Sequence, residues 1–108
     1  MAYDTVLADR IRAVLAGRPR VREVAMFGGL SFLVDEKLTV AARGDGTLLV
    51  HCPAERADAL TGDGVQRAEM KGRPMSRGWL VVGAARIAGD DDLAHWVGLA
   101  LDRTGGAG

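Results

Sequence analysis

The stretch EVAMFGGLSFLVDEKLTVAARGDGTLLVHC, residues 23–52, decides how this chain folds. It divides into four short runs rich in strand-forming residues: Glu23 to Phe27, Leu30 to Val34, Leu38 to Ala42 and Thr47 to Cys52. Gly28-Gly29 marks a turn or bulge after the first run. Asp35-Glu36-Lys37 is a polar turn after the second. Arg43-Gly44-Asp45-Gly46 is a hairpin signal after the third, because Asp-Gly tolerates positive φ. Connections this short cannot carry parallel crossovers, which need a dozen or more residues. The stretch reads as a four-stranded antiparallel meander.

Helical patterns flank it. Asp4 is suited to cap a helix in which Leu7, Ile11, Val14 and Leu15 form one apolar stripe, and Gly17 and Pro19 stop it, giving residues 4–16. After the meander, Pro53 suits the first turn of a short helix that turns Ala57 and Leu60 inward and ends at Thr61-Gly62-Asp63-Gly64. Val65 to Met70 fits a strand or an irregular crossing, Lys71 to Gly78 a loop, and Trp79-Leu80-Val81-Val82 a strand. Asp90, Asp91 and Asp92 complement the dipole of a last helix whose stripe is Leu93, Trp96, Val97, Ala100 and Leu101. The expected fold class is α+β: an antiparallel sheet of about five to six strands with three helices packed against it, in the order α-β-β-β-β-α-β-β-α. Residues 1–103 form one domain and 104–108 a disordered tail.

Composition bounds the function. A chain of 108 residues holds one core, and 48% hydrophobic with 26% charged residues is ordinary for a soluble domain. No apolar run approaches the ~20 residues needed to cross a bilayer. The lone cysteine, Cys52, excludes an internal disulfide and suits a reducing compartment. The first residues also lack a signal peptide's pattern, so a cytoplasmic location is expected, with no membrane partner. Fourteen basic and fourteen acidic residues cancel, so no net positive charge supports a nucleic-acid partner. Twelve of the fourteen basic residues are arginine, however, with Arg10, Arg12, Arg18, Arg20 and Arg22 clustered early. Arginine suits planar contacts to carboxylate or phosphate, which keeps nucleic-acid binding as an alternative.

Two segments resemble a known family. Met26-Phe27-Gly28-Gly29-Leu30-Ser31-Phe32 is similar to the MFGG-x-x-F segment of TfoX/Sxy N-terminal domains. Gly72-Arg73-Pro74-Met75-Ser76-Arg77-Gly78-Trp79 is similar to that family's GRPM…GW loop. The resemblance implies an α/β sandwich, often paired as a homodimer, and a link to transcriptional or competence-type regulation. It brings no catalytic residues and no cofactor. In this family's longer members a C-terminal domain follows, which is not present in these 108 residues.

The residues themselves offer few sites. Gly28-Gly29 lacks the Gly-x-x-x-x-Gly-Lys-Ser/Thr pattern of a phosphate loop. His51 and Cys52 are neighbours near a strand end and point to opposite faces, which disfavours a shared metal, and no second ligand pair accompanies them. Ser31 and His95 lack the surroundings of a nucleophilic site. No catalytic, cofactor-binding or metal residues are assigned. The candidate interaction loop comprises Lys71, Arg73, Pro74, Met75, Arg77 and Trp79, a cationic loop with an apolar tip, of the kind that contacts a protein partner. Met26, Phe27, Gly28, Gly29 and Phe32 are expected to be structural. The leading expectation is a non-catalytic regulatory or adaptor domain; the alternatives are a nucleic-acid-binding accessory domain and a small metal- or ligand-binding protein.

Overall fold

The four runs of the meander pair edge to edge as strands, and the second and third hairpins are held by their own turn chemistry. We describe them on a computed structural model covering residues 4–18, 20–26, 29–70, 73–74 and 78–101. Strands β1 (Val21–Met26), β2 (Gly29–Val34), β3 (Lys37–Arg43) and β4 (Leu48–His51) follow one another in antiparallel register. The β2–β3 turn places Asp35 and Glu36 at φ of 53° and 67°, a conformation costly for residues with a Cβ. Arginines of the β1 region hold it: Arg22 forks onto Glu36, its closest contact 2.6 Å, and the Asp35 N–H donates to the Arg20 carbonyl at 3.1 Å. In the β3–β4 turn, Asp45 Oδ1 accepts from the backbone N–H and the hydroxyl of Thr47, at 3.0 and 2.5 Å. These bonds, the hydroxyl first, hold the Asp45 carboxyl below its ordinary pKa range.

Helix α1 (Thr5–Leu15) precedes the meander, and Asp4 caps it by accepting from the Leu7 N–H at 3.0 Å. Helix α2 (Ala54–Leu60) follows it and leads to β5 (Val65–Arg67). A two-stranded ribbon, β6 (Glu69–Met70) with β7 (Arg73–Pro74), then interrupts the sheet before β8 (Trp79–Val82). A 3-10 turn (Ala84–Ile87) precedes helix α3 (Asp90–Leu101). The main sheet has the order β1-β2-β3-β4-β8-β5. The chain thus lays β5 one place out from β4, and β8 fills the gap, antiparallel to both.

The helices cover one face of this sheet. Leu7, Ile11 and Leu15 of α1 and Leu93, Trp96 and Val97 of α3 meet Phe32, Val40, Leu48, Val50, Leu80 and Val82 in the main core. Alternation along each strand makes this possible, since every second side chain points to the helices. The expectation of three packed helices is met in part. The layer over the sheet is made by α1 and α3, whereas α2 is a seven-residue segment that lends Ala57 to the core, and the residues ahead of α3 form the 3-10 turn. The run Val65 to Met70, expected as a strand or an irregular crossing, divides into β5 and β6, and β6 pairs with β7, two residues inside the segment expected as a loop.

Gly29 explains one glycine of the Gly-Gly pair. A Cβ there would overlap the carbonyl oxygen of Ala42 and sit 2.9 Å from Cα of Arg43 on β3. The β2–β3 ladder therefore requires a residue without a side chain at this point. Gly29→Ala is expected to destabilise the domain by about 3 kcal/mol, because rigid backbone must move. Urea unfolding checks this, and a loss under roughly 0.5 kcal/mol would show that the strands are not so closely apposed.

Candidate functional site

The sheet face turned away from the helices carries its own buried cluster. Val24, Ser31, Ala41, Leu49, Val81 and Gln66 lie in one register row across all six strands. Ala41, Leu49, Ala68 and Trp79 pack together there, with Leu38 and Val81 at the margin. Trp79 belongs to β8 and not to an exposed loop. It is 9% exposed, and its ring stacks on His51, its cross-strand neighbour, at 3.8 Å between centroids and 13° between planes. Of the other candidate interaction residues, Lys71, Met75 and Arg77 lie outside the described residues. Arg73 and Pro74 are described as the backbone of β7.

Neighbouring His51 and Cys52 do not converge. Cys52 is fully buried in the core on the helix side, and its N–H donates to the Gly78 carbonyl at 2.7 Å. His51 lies on the opposite face, against Trp79. Among the described residues no group of three His, Cys, Asp or Glu side chains is placed to hold a metal ion.

Four of the five arginines that crowd the first part of the chain, Arg10, Arg12, Arg20 and Arg22, are engaged by its own carboxylates and carbonyls. Arg12 forks onto Glu23 of β1 with two bonds of 2.8 Å and donates to Asp9 at 2.6 Å. Those bonds, outweighing desolvation, hold the Glu23 carboxyl below its ordinary pKa range. Arg20 faces Asp35 at 3.8 Å, beside the Arg22–Glu36 pair. Arg10 reaches from α1 to the segment before α3, donating to the carbonyls of Ile87 at 2.7 Å and Ala88 at 3.2 Å, with Asp90 at 3.4 Å. Beside this clamp, α1 and α3 leave a groove of about 580 Å³. Val6, Ala13, Val14, Leu93 and Ala94 give it an apolar lining, and Asp9, Asp90 and Asp91 give it acidic groups.

The family model described as the TfoX N-terminal domain matches residues 13–104. The chain belongs to the TfoX N-terminal domain family. No curated protein matches it. In this TfoX N-terminal domain the MFGG-x-x-F residues that are described serve the fold: Met26 ends β1, Gly29 opens β2 against β3, and Phe32 is fully buried in the main core. Phe27 and Gly28 lie outside the described residues.

Sequence reading missed the groove. Its signal was a second apolar row on α1, Val6 and Ala13 seven residues apart, beside the stripe that faces the core. It also missed the position of Ser31, which is fully buried on the sheet's second face with a hydroxyl lacking a hydrogen-bond partner among the described residues. A buried, unbonded hydroxyl opposes folding. Ser31→Ala is therefore expected to leave stability unchanged or raise it by up to about 1 kcal/mol. A loss of more than about 1 kcal/mol in urea unfolding would show that the hydroxyl is bonded in the folded protein.

Proposed function

We propose that this TfoX N-terminal domain is a non-catalytic regulatory domain of the cytoplasm that acts by binding protein, as a homodimer. Its family membership supports the regulatory class. What favours protein over nucleic acid is the fate of the arginines. Phosphate-backbone recognition needs cations presented to solvent along one surface. Here Arg10, Arg12, Arg20 and Arg22 are each engaged by Asp or Glu of the same chain, and Arg86 donates to the Asp63 carbonyl at 2.5 Å. Each pair is partly exposed and contributes little stability alone. Together they fix the α1–β1 contact, the β2–β3 turn and the approach to α3, a structural use of arginine that sets each of these cations against a carboxylate or carbonyl of the chain itself.

Fluorescence anisotropy with a labelled DNA duplex, at about 50 mM salt where backbone binding is strong, tests this reading. No saturable binding is expected at micromolar protein, while crosslinking in a host-cell extract captures a specific protein. Saturable DNA binding that weakens steeply with added salt would replace the proposal with the nucleic-acid reading.

A further inference from the structure

The groove between α1 and α3 has three features that act together. First, its lining is apolar. Val6 stands 68% exposed, the large hydrophobic side chain left open to solvent among the described residues, and Ala13, Val14 and Ala94 extend the surface over the buried Leu93. Second, its charge is acidic on balance. Asp9, Asp90 and Asp91 line it against two guanidiniums, Arg12 on Asp9 at 2.6 Å and Arg10, which is turned chiefly toward the Ile87 and Ala88 carbonyls, so the excess charge sits at Asp91. The Asp90 side chain is 95% exposed despite its contact with Arg10, and Asp91 has no ion pair among the described residues. Third, the groove is held open in advance. The Arg10 clamp and the buried side chains of Leu7, Ile11, Leu93 and Trp96 fix the two helices on the sheet, so an occupant meets a formed surface.

The geometry points to this groove as a docking site for a basic amphipathic helix of a partner protein. An eleven-residue α1 is about 16 Å long, enough to lie along two to three turns of a partner helix. Such a helix sets apolar anchors at i, i+3, i+4 and i+7 against Val6, Ala13, Val14 and Ala94. Lys or Arg residues flanking those anchors then meet Asp91 and Asp90 at the rim. Unlike charges steer the encounter and reject acidic helices, while the apolar contacts supply most of the affinity. An acidic or uncharged helix fills the same volume without that complement. The inference rests on the protein-binding reading above and names the surface and the partner chemistry for it.

The test uses the full chain, labelled with nitrogen-15, and two synthetic helix-forming peptides of roughly 14 residues that share one leucine spacing. One carries lysine at the remaining positions, the other glutamate. The lysine peptide is expected to shift amides in Val6–Val14 and Asp90–Ala94, and the glutamate peptide to bind at least about tenfold more weakly. Val6→Asp and Asp91→Lys change exposed positions and keep the fold, as the unliganded spectrum verifies, and each is expected to weaken the lysine peptide by about tenfold. Equal binding of both peptides, indifference to Val6→Asp, or no binding overturns the groove assignment. Shifts confined to another surface, such as the cleft of Arg43 and Arg67, overturn it too but leave the protein-binding reading standing. Shifts of the groove amides that depend on protein concentration without peptide would make a second copy of the chain the occupant, against the proposal.

Discussion

Four residues, Trp79–Val82, close this fold. The meander β1–β4 is built from local hairpins, but β4 ends with an open edge and β5 lies one place beyond it. Only when β8 enters the gap are both ladders completed, Leu49 opposite Val81 on one side and Gln66 opposite Val81 on the other. Backbone bonds extend the seam at its ends: Cys52 N–H to Gly78 O at 2.7 Å, Ala68 N–H to Trp79 O at 2.9 Å, and Gly83 N–H to Gly64 O at 2.6 Å. The strand also joins both cores, since Leu80 and Val82 pack beneath the helices while Trp79 packs on the second face. Exposed backbone at an unfilled gap would cost hydrogen bonds on two strands at once.

The rest of the molecule follows from that seam. Once β8 is placed, the chain leaves it through the 3-10 turn and α3 returns over the sheet beside α1. Arg10 then binds the carbonyls at the end of that turn, linking groups 77 and 78 residues apart in sequence. A guanidinium fits this task because it offers several donors in a fixed plane, where a lysine offers a point charge. The same property explains why an arginine-rich sequence yields a surface with many intramolecular pairs. The groove beside Arg10 is a product of this linkage, since neither α1 nor α3 presents a cleft alone.

Much of the fold was legible because its signals are local. Asp4, Gly17, the Asp-Gly turn and the stripes of both long helices state their roles within a few residues, and the structure follows them to within a residue or two. What the sequence could not show was pairing between distant elements. Nothing in Trp79–Val82 says that it lies between β4 and β5 and not outside them, because a strand's partner is set by which edge remains free. The 3-10 turn at Ala84–Ile87 and the two-residue strands of the ribbon are too short to leave a period. The family motif was easy to see, and Gly29 and Phe32 carry a structural meaning that spacing alone did not reveal. The groove escaped notice because its two walls lie some eighty residues apart, each with an apolar row that reads as the margin of a core stripe.

Native-state hydrogen exchange on the intact domain bears most directly on the claim that β8 closes the fold. If it does, the amides of Leu80 and Val82 exchange only through global unfolding, at the same free energy as those of Leu49 and Val50. A cheaper opening that releases β5 and β8 together while β2 and β3 stay protected would contradict it, and would make the meander the self-sufficient unit.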